Sequence, residues 1–354
     1  MKTSDASDLS PATAPWNTAE RCFVIAEAGV NHNGDLGLAM KLIDAAVAAG
    51  ADAVKFQTFA AEKVVTAATA KARYQIASTG AKESQLEMIK RLELPPENFC
   101  QLKIYCEESR VIFLSTPFDE GSADFLDSIG VLAFKISSGE LTNLDFLRHV
   151  ARKHKPMIIS TGMADLAEVR TAVDIIRAEN SSELVLLHCV SNYPAQPASI
   201  NLRAMQTLNQ EFGCQVGFSD HTVGIAIALA ACALGARVIE KHLTLNRQLP
   251  GPDHSTSLEP GEFAAMVQGI RKIECALGDG LKRPAAEERE VADVARRSLV
   301  AARDIPAGTV LAAEHITVLR PGTGLAPSMR QRLIGRTITR DVSAGTLFTL
   351  EMLQ

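Results

Sequence analysis

The fold class this sequence predicts is α/β: a closed (β/α)8 TIM barrel followed by a small β-rich domain. Three observations predict it. Eight short apolar runs recur across residues 24–244, helical segments separate them, and the chain of 354 residues is longer than the roughly 250 that one barrel needs. Strict alternation of strand and helix implies parallel strands, and eight units imply closure.

Taken in order, the runs are VIAEAG (24–29), AVKFQT (53–58), VIFLST (111–116), AFKISS (133–138), MIIST (157–161), LVLLHC (184–189), QVGFSD (215–220) and RVIEKHLT (237–244). Most end in Lys, Gln, Ser, Thr or His where a turn residue is expected. Helical segments lie between them, among them 36–49, 98–108, 143–154, 165–179, 223–234 and 260–277. In a barrel of this kind chemistry gathers where the strands end, so the polar strand ends are candidate active-site residues.

Four segments fall outside the repeat. Residues 1–20 have no basic start followed by an apolar core, and read as a flexible tail before a barrel spanning 21–281. Residues 59–94 make a connection far longer than an ordinary βα loop, on the face where chemistry is expected, which predicts a lid or pocket wall. The charge-dense stretch 282–297 reads as a linker with helical character. Residues 298–354 hold short β-rich runs broken by IPAGT, RPGTG and VSAGT, a compact β domain whose core is marginal unless it packs against another surface.

Hydrophobic residues are 47% of the chain and charged residues 22%, which fits a soluble globular protein with a large core. A formal net charge of −5 offers no field for nucleic acid, so none is expected as a partner. The most apolar helix, GIAIALAACALGA (224–236), is too short to cross a membrane, and none is expected. Seven cysteines without a CxxC pair suit buried thiols in a reducing cytoplasm better than a disulfide framework or a zinc ribbon.

Lys55 and Lys135 sit near strand ends among apolar neighbours. Burying an ammonium is costly unless it meets an anion, so the pair points to a phosphate or carboxylate site; the alternative is structural salt bridging to Glu27 or Glu240. Thr116, Ser137, Ser138, Ser191 and Ser219 add hydroxyls suited to an anion cradle, whereas Ser160 and Thr161 read better as caps of the following helix. His221 and His242 end adjacent strands and could begin a divalent metal site, although a lone strand-end histidine is more often structural; His32 and His188 have similar standing.

Beyond these readings, the strings AEAGVNHNGDLGLA (26–39), DAVKFQTF (52–59), YQIASTGAKESQLEMIKRLEL (74–94), FLSTPFD (113–119), FKISSGELTNL (134–144), IISTGM (158–163), GFSDHTVG (217–224), IEKHLTL (239–245) and GPDHSTSLEP (251–260) resemble the sialic acid synthase family. Those enzymes condense phosphoenolpyruvate with an N-acetylated hexosamine to make nonulosonic acids. The C-terminal segment, with VLRPGTGLAP (318–327), resembles that family's antifreeze-like SAF domain, a β-clip fold.

The resemblance implies roles. Lys55, Lys135, Thr116, Ser138, Ser191 and Ser219 match positions that hold the phosphate and carboxylate of phosphoenolpyruvate. His221 and His242 match the protein ligands of Mn2+ or Mg2+. Glu27, Gln57, Tyr193 and Asp253 match positions around the acceptor sugar and reacting carbons, and Glu140 matches a further active-site acid. Arg320 matches an arginine that the SAF domain of one subunit inserts into its partner's active site, which implies a domain-swapped homodimer. The expected acceptor is N-acetylmannosamine, giving N-acetylneuraminic acid, with 2,4-diacetamido-2,4,6-trideoxymannose and the legionaminic acid product as the alternative. Heptulosonate and octulosonate phosphate synthases share the chemistry but would leave residues 298–354 unexplained.

Overall fold

A computed structural model describes residues 16, 21–72, 75–76, 79–80, 82–180 and 183–354. The chain divides into two compact units, with the boundary between Gly278 and Asp279. The remainder of the 1–20 tail and positions 73, 74, 77, 78 and 81 of the 59–94 segment lie outside the described residues.

The first unit is built on β1 (Phe23–Gly29), β2 (Ala53–Thr58), β3 (Ile112–Pro117), β4 (Phe134–Ile136), β5 (Met157–Ser160), β6 (Leu184–Cys189), β7 (Gln215–Asp220) and β8 (Val238–His242). All pair in parallel, in the order β3-β2-β1-β8-β7-β6-β5-β4. β3 and β4 stand side by side at the seam, so the eight strands form a near-closed barrel. Around it run helices α1 (Leu36–Ala48), α2 (Ala61–Val64), α3 (Gln85–Leu92), α4 (Pro96–Glu108), α5 (Glu120–Ser128), α6 (Leu144–Ala151), α7 (Leu166–Glu179), α8 (Ala204–Phe212), α9 (Ala226–Ala233) and α10 (Pro260–Leu277).

Several helices start on a short acidic or amide cap that satisfies otherwise orphaned N–H groups. Asp35 accepts from Leu38, Asp119 from Ser122, Asn143 from Phe146, and Asp165 from both Ala167 and Glu168. The cap of α7 is therefore Asp165, and neither Ser160 nor Thr161 has that role. Thr161 donates to the Leu187 carbonyl at 3.0 Å, and Ser160 faces the barrel interior.

Strand side chains alternate between two apolar layers. Outward residues such as Val24, Val54, Phe56, Ile136 and Ile239 pack against Leu42, Ile43, Phe99, Phe146 and Phe263 of the helices. Inward residues Phe23, Ile25, Ala53, Leu114, Ala133, Ile158, Val185, Leu187 and Val238 fill the lower half of the barrel. Trp16, expected in a flexible tail, belongs to this inner cluster, fully buried with its ring edge-on to Phe23 at 5.6 Å.

Within the long 59–94 connection, α3 begins at Ser84, whose hydroxyl accepts from the Glu87 N–H while the Glu87 carboxylate accepts from the Ser84 N–H. Met88 and Leu92 of α3 pack on Val30 and Phe59, which seats the helix over the rim of the barrel.

The second unit contains α11 (Glu288–Ala295), none of whose residues is buried, and an antiparallel pair, β9 (Ser298–Ala301) with β10 (Ile316–Leu319). Bridges Val300↔Leu347, Ile305↔Val342, Val310↔Thr337 and Ile338↔Leu353 extend the β character. They enclose a core of Leu299, Ile305, Leu311, Ile316, Leu333, Ile338, Val342, Phe348 and Met352. A small β-rich domain thus follows the barrel.

Candidate active site

Two residues above the apolar floor, the inward positions become polar. The parallel register sets Glu27 beside Lys55 on one side and His242 on the other. Lys55 Nζ lies 2.6 Å from Glu27 Oε2 and 3.7 Å from Glu240 Oε2, and donates to Thr116 Oγ1 at 2.9 Å. Lys135 Nζ lies 3.5 Å from Glu240 Oε1 and donates to Ser160 Oγ at 2.7 Å. Ser219 donates to Glu240 at 3.0 Å, and Gln57 to Glu27 at 3.0 Å. Anion site and salt bridges were competing readings of the sequence; the structure contains the bridges, and they hold both ammonium groups on the wall of an open cavity.

The two lysines differ in compensation. Burial works against the Lys55 ammonium, but Glu240 and Glu27 outweigh it and raise its pKa. Burial dominates at Lys135, with Lys55 adding repulsion, so its pKa falls below the usual lysine range. Glu240 is also buried, yet Lys135 and Lys55 hold its carboxyl at about 2. Lys135 is therefore less compensated than Lys55, and an anion in the cavity would favour its charged form.

Next to Lys135 is a cluster of small polar groups. The Gly162 N–H donates to Ser138 Oγ at 3.0 Å, and Ser138 Oγ is 3.6 Å from Cys189 Sγ. A Cβ at Gly162 would lie 2.3 Å from Ser191 Oγ and 2.8 Å from Ser138 Oγ, so the hydroxyls converge where only glycine fits. Such a pocket of hydroxyls beside a cation suits phosphate or carboxylate oxygens.

Cys189 Sγ of this cluster is 3.7 Å from His221 Nδ1; the imidazoles of His221 and His242 have centroids 5.4 Å apart, and Tyr193 lies against both, at 4.2 and 5.7 Å. His221 Nδ1 is within 2.9 Å of the Val190 carbonyl, which as acceptor fixes the proton on Nδ1 and leaves Nε2 for other use. His242 Nδ1 is buried without a hydrogen-bond partner, 4.0 Å from Asp253 Oδ2. Burial, and next to it Glu27, push the Asp253 carboxyl up to about 6, while burial and then His221 hold His242 well below the usual imidazole range. An unpartnered imidazole nitrogen next to an undercompensated carboxyl fits a divalent cation, although among the described residues no group of three His, Cys, Asp or Glu side chains is already gathered for one.

The cavity, about 470 Å³, is lined by Glu27, Lys55, Gln57, Thr116, Lys135, Ser138, Ser191, Tyr193, Ser219, His221, His242 and Asp253. Two nominated residues are not in it. Glu140 sits on a 3-10 turn, accepting from Asn143 Nδ2 at 2.8 Å outside the cavity wall. Arg320 is exposed in the second unit, directly after β10. His32 accepts from the Gly34 N–H, His188 on β6 meets the Ile200 carbonyl, and neither lines the cavity. The wall also includes Gln85, Phe118, Met163 and Cys189, together with Ser160 and Glu240. Inward parity along β5 and β8 is the signal that identifies the last two.

Comparison with known proteins adds a lineage. The NeuB family model matches residues 42–282, and the SAF domain model matches residues 296–354. The chain belongs to the NeuB family. It is 47% identical to an N,N'-diacetyllegionaminic acid synthase of Legionella pneumophila over 96% of this chain and 97% of that protein. Its identity to the N,N'-diacetyllegionaminic acid synthase of Campylobacter jejuni is 44%, over 91% and 97% of the two chains. Among solved structures, the N-acetylneuraminic acid (sialic acid) synthetase of Leptospira borgpetersenii, in complex with citrate, superimposes with a TM-score of 0.67 at 38% identity, covering 77% of this chain and 90% of that one. The homologues are nonulosonic acid synthases, and this NeuB-type chain is an enzyme of that kind.

Proposed function

We propose that this NeuB-type enzyme condenses phosphoenolpyruvate with open-chain 2,4-diacetamido-2,4,6-trideoxymannose and water, giving N,N'-diacetyllegionaminic acid and phosphate. The observation that carries the chemistry is one cavity in which two buried ammonium groups face two imidazoles and a buried acid. The 47% and 44% identical relatives, both named for that product, support this choice of acceptor. This replaces N-acetylmannosamine as the expected acceptor. The 74–94 segment resembles both sialic and legionaminic acid synthases and does not separate the two acceptors.

In this reading Lys55 and Lys135 neutralise the carboxylate and phosphate of phosphoenolpyruvate, with Thr116, Ser138, Ser191 and Ser219 completing the oxygen contacts. C3 of the donor attacks the aldehyde carbon, water adds at C2, and phosphate leaves by C–O cleavage. Glu27, held by Gln57 and Lys55, directs that water; Glu27→Gln then lowers single-turnover rates with both substrates bound, and unchanged rates refute the assignment. His221 and His242, with Asp253 beside them, are the residues to hold Mn2+ or Mg2+, which when bound supplies Lewis acidity toward the sugar aldehyde. Arg320 acts from the partner subunit of a homodimer, and Arg320→Ala depresses turnover at an unchanged unfolding temperature. The enzyme works in the cytoplasm, where phosphoenolpyruvate is made.

The test is phosphate release by the purified enzyme with Mn2+ and each acceptor separately, with product masses recorded. Release that depends on the diacetamido sugar and yields the mass of N,N'-diacetyllegionaminic acid supports the proposal. Preference for N-acetylmannosamine returns the enzyme to N-acetylneuraminic acid, the reading that the likeness to the Leptospira synthetase favours. Loss of release after chelation, restored by Mn2+, supports the metal assignment.

A further inference from the structure

The lid helix α3 contributes one polar side chain that the chemistry above does not use. Gln85 opens the helix, three residues before Met88 and seven before Leu92, so the three share a face. Met88 and Leu92 are 1% and 4% exposed and anchor that face on Val30. Where the face passes over the cavity, the sequence supplies a carboxamide instead of another apolar group, and Gln85 lines the wall together with Gln57, Phe118 and Tyr193.

Gln85 Oε1 is buried and has no hydrogen-bond partner. A buried carbonyl oxygen without a donor is unfavourable, and on the wall of a binding cavity that cost is recovered when a ligand brings the donor. Adjoining the cavity, and sharing Gln57 and Phe118 with it, is a niche of about 110 Å³ under α3, lined further by Val30, Phe59, Met88 and Pro252. Apart from Gln57 its lining is apolar, and Gln85 stands on the wall of the cavity that this recess adjoins.

That pair of features matches one functional group. An acetamido substituent presents an N–H donor joined through its carbonyl to a methyl, whereas a sugar hydroxyl presents a donor with no methyl. The acceptor proposed above carries two acetamido groups, and N-acetylmannosamine carries one. We propose that Gln85 and the apolar niche beneath α3 select an acceptor with a second acetamido group, Oε1 accepting from its N–H and the niche receiving its methyl. This inference rests on the diacetamido reading of the acceptor, and Gln85 acts as a specificity determinant, remote from the bonds that form and break.

The experiment compares the full-length enzyme with Gln85→Leu and Gln85→Ala. In each, kcat/KM for the diacetamido sugar, KM for phosphoenolpyruvate and unfolding temperature are measured. Affinity for N-acetylmannosamine is read as turnover or as a competitive inhibition constant. The expected result is a loss on the order of tenfold to a hundredfold in kcat/KM for the diacetamido sugar, through KM, with the other three quantities within about threefold or a few degrees. Equal losses for both sugars, or no loss for either, overturn the role of Gln85 while wild-type preference for the diacetamido sugar keeps the acceptor assignment. A wild-type enzyme that ignores the diacetamido sugar overturns both.

Discussion

The two halves of the barrel interior are made by the same strands and have opposite chemistry. In the lower half Phe23, Ile25, Ala53, Leu114, Ile158, Val185, Leu187 and Val238 form a dry apolar plug. In the upper half, two residues or about 7 Å further along those strands, stand Glu27, Lys55, Thr116, Ser160, Ser219, Glu240 and His242. The lower set gains from removal from water; the upper set is buried at a cost and is tolerated because Lys55, Glu27, Glu240 and Lys135 compensate one another. The outward-facing Lys241–Asp220 pair is a third case. Its groups are fully buried at 2.8 Å, and Lys241 also donates to the Thr222 carbonyl, so it braces the loop that carries His221 without facing the cavity.

The sharpest break of this contrast is Lys55→Ala, which removes a charge that ligand and protein share. Turnover is expected to fall a thousandfold or more while the apolar floor keeps the barrel folded; steady-state phosphate release and circular dichroism measure the two sides. Lys241→Met tests a buried charge that the substrate never meets. It strands Asp220, and a loss of about 3–5 kcal/mol in denaturant unfolding is expected, part of it returned by adding Asp220→Asn. Leu187→Ala, in the floor, is expected to cost about 2–4 kcal/mol of stability and to leave kcat of the folded protein within about threefold. A large fall in kcat there would mean that floor and mouth are not separable. The smallest effect is assigned to Ser160→Ala, which removes one of the partners of Lys135 and is expected to raise KM for phosphoenolpyruvate about tenfold with little change in unfolding.

Most of this was legible in the chain because the barrel ties position to chemistry. A polar residue that ends an apolar run must lie near the mouth, which is how Lys55, Lys135, Ser219, His221 and His242 are found. What was harder to read depends on facing. In RVIEKHLT three polar residues stand together, and only the period of two, anchored by inward Val238, shows that Glu240 and His242 point in and Lys241 out. Ser160 resembled a cap until Asp165 was seen in that position. Gln85 could not be assigned from sequence at all, because the site of α3 over the cavity is fixed by packing of Met88 and Leu92 on residues far away in the chain. The acceptor sugar was likewise out of reach, since the catalytic motifs are common to enzymes with different sugars.

Trp16 has a practical consequence for anyone drawing the edges of this domain. Its indole is fully buried in the inner cluster, ring edge against Phe23 at the start of the first strand. A polypeptide started at residue 21 to obtain a tidy catalytic fragment would carry every motif and still have a hole in its hull. The inner cluster would then lack the edge-on partner of Phe23, and the fragment's fragility would be mistaken for a property of the active site above.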